Sequence, residues 1–436
     1  MDIVLINPLY PRYESNMFAS ALVASLDMPP LGLLYIAANL EKYGYKVEVY
    51  DFNLYTEQEI EQISEKIFQN APKIIGLSVS TPNYNYAVAY SKKIHERLGK
   101  NCKVIFGGYH ASFLPEECLG ENMADIVILG EGEQIFVELA DKIVRDKGSS
   151  LEEKQGIAFI NENGELYNKN AHLLRIENLD DLPFPDRSLL PMERYKTPAT
   201  VMGSRGCVAR CEFCASGAWG GIKLRSPENI VAELKELKRD FNFEHICFID
   251  NTFTANKERT YKIADAIAAS GLDFTYSLET RVSNVDDSLV EKLKYMNTIA
   301  VQFGVETGND QVMKDIHKDI TLDRVYGAVE TCLNHGLRVM CTFIIGHPTD
   351  TNETIQDTVN AIRKIKRMGG QAKIEMLTPY PGTPVFLNRE QKGLVIKDWN
   401  YDHWGATTSP VFETQNFTQR QLHKRFIEAV MEVNTI

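Results

Sequence analysis

Five short, β-branched apolar runs in the first third of the chain restrict its fold more than any other feature. They are DIVLINP (2–8), KVEVYDF (46–52), KIIGLSVS (73–80), KVIFGG (103–108) and ADIVILGEG (124–132). Short runs of this kind mark strands buried on both faces, and the helical patterns between them, such as PLGLLYIAANLEKYG and NYAVAYSKKIHERLG, supply the crossovers that parallel strands require. The expected architecture for residues 1–150 is therefore a doubly wound, Rossmann-like α/β domain. Ligands of such sheets bind outside the carboxyl ends of the strands. The segments that fall there, NPLYP, SVSTPNYN, GGYH and LGEGE, are small, polar or glycine-bearing. Gly107, Gly108, Gly130 and Gly132 would let backbone approach a large flat ligand; ordinary turn geometry is the more frequent reason for any one of them, and it is the agreement of four loops that points to a ligand.

Residues 151–198 break the pattern. KQGIAFINENGELYNK reads as a hairpin with Asn163 and Gly164 at its tip, and four prolines between Pro183 and Pro198 mark a linker. The βα alternation then resumes, with strand patterns at 199–204, 245–253, 274–282, 299–308, 338–348 and 372–382. Ser226 followed by Pro227 predicts the start of one intervening helix. Six units over residues 199–385 fall short of the roughly 250 residues of a closed eight-unit barrel, which predicts an open, partial (β/α)6 TIM barrel with its chemistry at the C-terminal strand ends. Residues 386–436, with the aromatic stretch DWNYDHW and a final helical pattern, read as a short C-terminal extension over the barrel mouth.

Just after the first barrel strand, GSRGCVARCEFCASGAWGG (203–221) places Cys207, Cys211 and Cys214, three of the chain's eight cysteines, on one glycine-flanked loop. Cys102, Cys118, Cys247, Cys332 and Cys341 are scattered, most of them in apolar patterns that suit buried thiols. Three clustered thiolates can each ligate iron, and no fourth cysteine lies near. A structural zinc site would need a fourth ligand, and the nearest histidine in sequence is His245. The composition argues against other partners. With 47 basic against 59 acidic residues, a net charge of −12 and no dense Lys/Arg run, bulk nucleic-acid binding is disfavoured. The scattered cysteines make a disulfide framework unexpected, no segment approaches the ~18 uninterrupted apolar residues of a membrane span, and the expected location is cytoplasmic.

The C-x3-C-x2-C loop, with Phe213 before its last cysteine, resembles the signature of the radical SAM superfamily. That resemblance implies that Cys207, Cys211 and Cys214 hold a 4Fe-4S cluster whose open iron chelates S-adenosylmethionine (SAM). FIDNTF (248–253) is similar to the family's second-strand motif, which would place Asp250 and Asn251 near the methionine amino group. ETR (279–281) resembles the third, with Glu279 and with Arg281 meeting the SAM carboxylate. GVETG (304–308) resembles the fourth, with Glu306 near the ribose; FIIGHPTDT (343–351), with Gly346, and PYPGTP (379–384) are like the fifth and sixth. Plainer roles are also available: Glu306 and Arg281 as an ion pair, Asp250 as a helix N-terminal acid and PYPGTP as a turn.

A Rossmann-like domain ahead of such a barrel resembles the cobalamin-binding class of the superfamily, whose members include methylases of unreactive carbon or phosphorus. The resemblance implies a corrin across the N-terminal loops, at Asn7, Ser78, Ser80, Thr81, Gly107, Gly108, Tyr109, His110, Gly130, Glu131, Gly132 and Glu133, between the two domains. The D-x-H-x-x-G motif that supplies a cobalt-ligating histidine elsewhere is absent, so His110 is assigned a hydrogen-bonding or packing role. A methylthiotransferase is disfavoured because residues 1–200 hold only Cys102 and Cys118. Three readings remain: a cobalamin-dependent methyltransferase of a small molecule, a cobalamin-free radical SAM lyase or cyclase, and a non-catalytic metal-binding protein. Either enzyme reading implies an electron donor such as flavodoxin or ferredoxin.

Overall fold

The computed structural model describes residues 1–11, 28–120, 123–148, 150–168, 172–405 and 409–434. The described residues form two compact units, one running to Pro198 and including Asn400–Asp402, the other covering Ala199–Trp399 and the chain from His403.

In the first unit the predicted runs become β1 (Ile3–Asn7), β2 (Val47–Asp51), β3 (Ile74–Ser78), β4 (Lys103–Gly107) and β5 (Ile126–Ile128). They are parallel, in the order β2-β1-β3-β4-β5. Val4, Ile6, Ile75, Leu77, Val104 and Phe106 pack with Ala87 and Ile94 of the helix Tyr84–Leu98 into a core closed to water. The order reverses direction between β1 and β3, which opens the crevice where a ligand of this fold binds. The stretch expected as hairpin and linker extends this sheet. β6 (Ile157–Ile160) and β7 (Leu166–Tyr167) add to β5 antiparallel, and the chain then returns to pair Leu174 with Leu129 and Glu131. Burying Ile157 and Phe159 on the open edge of β5 explains why this proline-rich segment does not hang free.

The second unit contains β8 (Thr200–Val201), β9 (Ser204–Arg205), β10 (Lys223–Leu224), β11 (His245–Phe248), β12 (Thr275–Thr280), β13 (Thr298–Glu306), β14 (Arg338–Ile345) and β15 (Gln371–Met376). Six of them form one parallel sheet, β15-β14-β13-β12-β11-β8, an open partial barrel. Phe248, Tyr276, Leu278, Phe303, Phe343 and Ile374 are buried on one face of its strands. The alternate positions Cys247, Ser277, Glu279, Gln302, Thr342, Lys373 and Glu375 are polar and accessible to solvent. A parallel sheet packed on both sides is apolar on both, so this second face lines a lumen. Ser226 caps the helix Pro227–Phe241 as its sequence predicts. After β15, β16 (Val395–Ile396) pairs with β17 (Phe412–Glu413), and the helix Gln419–Asn434 lies against the helix Asn352–Met368 through Arg425 to Gln356 at 2.8 Å. Leu422 and Phe412 reach Gly346 at the end of β14, so the extension leans on the outer helix layer and on this strand end. Among the described residues no helix is long and apolar enough to cross a membrane.

Candidate functional site

The cysteine loop leaves β9 and returns through β10, an antiparallel pair that fixes both of its ends. Glu212 anchors its middle. The Glu212 N–H donates to the Ile316 carbonyl, its own carbonyl accepts from Val385, and its carboxylate meets His317 and Lys392 at 3.0 Å each. PYPGTP is indeed a turn: Thr383 caps the short helix Pro384–Leu387, whose second residue is that Val385.

Cys207, Cys211 and Cys214 all line one cavity of about 190 Å³ at the C-terminal ends of the barrel strands, together with Phe213, Asn251, Glu279, Arg281 and Glu306. Ala209, Ser216, Thr252, Thr280, Gln302, Gly304, Lys318 and Thr342 complete the wall, and of these Gln302, Lys318 and Thr342 lie outside every motif quoted above. The Arg281 guanidinium donates toward the Cys211 sulfur at 3.8 Å. Burial pushes the Cys211 thiol up, and Lys318 and then Arg281 oppose that shift, so the surrounding cations favour thiolate. Asn251 donates to the Gly206 carbonyl at 3.2 Å and lies 3.3 Å from the Ser216 hydroxyl. On the lumen face Gln302 donates to Glu279 at 2.8 Å.

Two expected site residues lie outside this wall. Asp250 is fully buried behind the loop, accepting from the Gly203 N–H at 2.8 Å and the Ser204 hydroxyl at 2.5 Å. Beside it, Arg259 donates to the carbonyls of Gly203 and Arg225. Gly346 turns away from the cavity with φ +103°, and a Cβ there would meet Met376 and Phe412; its N–H donates to the buried Asp350 at 2.9 Å. Glu306 is in the cavity, but its ion partner is Lys318 at 2.8 Å rather than Arg281.

In the first unit, Asn7, Ser78, Ser80, Gly107, Gly108, Tyr109 and Gly130 are accessible at the strand ends, whereas Thr81, His110, Glu131, Gly132 and Glu133 are buried. The glycines answer to their own chain. A Cβ on Gly108 would stand 2.7 Å from the Val79 carbonyl oxygen, one on Gly130 2.4 Å from the Leu174 backbone, and one on Gly132 3.2 Å from Ile36. Glu131 ties Arg175 and the Ile176 N–H to the sheet, and Asn7 donates to the buried Asp51. His110 is 1% exposed, its Nδ1 3.2 Å from the Thr81 hydroxyl and its ring against Tyr84 and Tyr401. Desolvation lowers it to about 4, so it is neutral.

Comparison with known proteins places this geometry. Residues 201–362 match the radical SAM superfamily and residues 19–140 match the B12 binding domain. An uncharacterized methyltransferase of Pyrococcus horikoshii is 32% identical over 97% of this chain and 91% of its own length. The chain belongs to the cobalamin-binding class of the radical SAM superfamily. The anaerobic magnesium-protoporphyrin IX monomethyl ester cyclase of Rubrivivax gelatinosus is 24% identical over 96% of this chain and 75% of its own. The fold is shared with the radical S-adenosylmethionine methyltransferase TsrM of Kitasatospora setae, solved with cobalamin and a [4Fe-4S] cluster, at TM-score 0.73 and 16% identity over 100% of this chain and 89% of that one.

The cofactors of a radical SAM protein with this domain are a 4Fe-4S cluster, SAM and cobalamin. The residues present fit the cluster. Among the described residues no three His, Cys, Asp or Glu side chains converge on one ion, as a closed zinc site would require. Three thiols instead share the wall of one cavity, the arrangement in which each can take a different iron.

Proposed function

We propose that the protein is a cobalamin-dependent radical SAM methyltransferase that acts on an unactivated carbon of a small molecule. One observation carries the reading: three thiols, a guanidinium and two carboxylates line one cavity at the strand ends of a chain whose N-terminal part matches a B12 binding domain. When bound, the cluster, SAM and cobalamin supply a reducing electron, a hydrogen-abstracting radical and a methyl carrier. The chain holds and aims them. Cys207, Cys211 and Cys214 ligate the cluster through thiolate. Arg281 directs a guanidinium toward the carboxylate of the methionine moiety, which suits its planar donor fork. With SAM bound, Asn251 and Glu306 would face its amino and ribose groups, and Phe213 would pack beside the cluster. Asp250 and Gly346 act from behind, holding the Gly203–Ser204 corner and the turn after β14. The accessible loop ends at Asn7, Ser78, Ser80, Gly107, Tyr109 and Gly130 receive the corrin. The electron comes from a flavodoxin or ferredoxin of the cytoplasm.

The test is anaerobic reconstitution with iron, sulfide and cobalamin, followed by assay of SAM products. Iron uptake, a cobalamin spectrum and formation of both S-adenosylhomocysteine and 5′-deoxyadenosine are expected. Absence of iron, or undiminished SAM cleavage after all three cysteines are changed to alanine, refutes the reading. The similarity to a protein named as a cyclase favours one second reading, a ring-forming radical SAM enzyme. That reading requires 5′-deoxyadenosine without S-adenosylhomocysteine.

A further inference from the structure

Lys318 belongs to no motif, yet the fold builds a place for it. Its Nζ lies 2.8 Å from Glu306 Oε1, each side chain only 8% exposed, and 5.9 Å from the centre of the Phe213 ring inside the cysteine loop. Its carbonyl oxygen accepts from Arg281 Nη2 at 2.5 Å, and Nη1 of the same guanidinium points at Cys211. Gly304 leaves the room: a Cβ there would stand 2.3 Å from Glu306 Oε1 and 3.0 Å from Lys318 Nζ. Glu306 holds φ +75° where the pairing of β13 with β14 shifts register, and His317 and Asp319, on either side of Lys318, hold φ +55° and +51°. Left-handed backbone is costly for residues with a Cβ. Three such residues converge on one buried ion pair.

A buried ion pair is poor evidence of stabilisation, since desolvating both charges offsets most of their attraction. Its position suggests a different task. Adding an electron to an anionic cluster is easier beside a buried cation and harder beside a buried anion, because a low dielectric strengthens both effects. We propose that the Glu306–Lys318 pair sets the reduction potential of the cluster, with Lys318 a positioning residue whose charge favours the reduced form and Glu306 the counter-charge that limits this effect. The inference rests on the iron–sulfur reading above.

The test is potentiometry, read by electron paramagnetic resonance, on the full reconstituted chain without SAM. Lys318→Met lowers the midpoint by at least the equivalent of a tenfold change in the one-electron equilibrium, 59 mV. Glu306→Gln raises it, the double variant returns toward wild type, and Lys318→Arg retains the wild-type value. A merely structural pair would not give opposite signs. Midpoints that stay unchanged in both single variants, or move in the same direction, overturn the proposal. If Lys318→Met does not retain iron, Glu306→Gln decides alone, and a midpoint that is unchanged or lowered overturns it. Wild-type protein without iron would refute the proposed function itself, an outcome distinct from these.

Discussion

Lowering the pH from 7.5 to 5 removes about 2 kcal/mol of stability from the first unit through His110 alone. The imidazole is 1% exposed, its Nδ1 satisfied by Thr81, its ring covered by Tyr84 and Tyr401, and the nearest carboxylate, that of Glu117, is 4.0 Å from Nε2. Burial takes it from the usual 6.5 to about 4 in the folded chain. The unfolded chain therefore binds a proton near pH 6.5 that the folded chain refuses until about pH 4. The stabilisation is complete above pH 6.5, falls through the interval, and amounts to ~3 kcal/mol when fully lost. His110→Gln removes the titrating group while keeping a polar side chain. Urea unfolding of the full, cluster-free chain, followed by circular dichroism at pH 7.5 and 5, should show a smaller loss for the variant, by about 2 kcal/mol, while carboxylates common to both proteins cancel. Equal losses in the two proteins would mean that His110 is not the neutral, desolvated group described here.

Cys211→Ala should reduce iron in the reconstituted protein from about four atoms per chain to background and abolish 5′-deoxyadenosine formation, as measured by iron assay and chromatography. Asp250→Ala strands the buried Gly203 N–H and the Ser204 hydroxyl, at a cost of ~2–6 kcal/mol. Its thermal midpoint should fall by roughly 10 °C, whereas a residue serving only as a SAM contact would leave the apoprotein's midpoint unchanged. Gly130→Ala combines φ +95° with a 2.4 Å approach to the Leu174 backbone. It should destabilise the first unit by more than ~1 kcal/mol in urea unfolding.

The strands were readable because buried parallel strands need short β-branched runs, and the cysteine loop because three thiols within eight residues have few other uses. Asp250 shows what spacing leaves open: at a strand end one residue decides whether a side chain faces the lumen or the helix layer, and Asp250 faces inward to Gly203 while Asn251 reaches the cavity. Lys318 escaped because its partner is twelve positions away across a loop whose left-handed residues are His and Asp, not glycine. The N-terminal glycines were visible, but not what filled the space beside them. In Gly108 and Gly130 that neighbour is the protein's own backbone. The segment after residue 150 carries the composition of a tether, and only the unpaired edge of β5 makes it part of a sheet.

A barrel that stops at six strands keeps two free margins, each a row of peptide groups onto which another chain can zip. Here one margin, β8, is two residues long, too short to template anything. The other, β15, carries Lys373 and Glu375 pointing inward, and an intruding strand that straightened it would drag both charges with it. Inward-facing charges on an edge strand discourage the addition of a further strand, so the groups that keep the lumen wet also work against pairing at this margin.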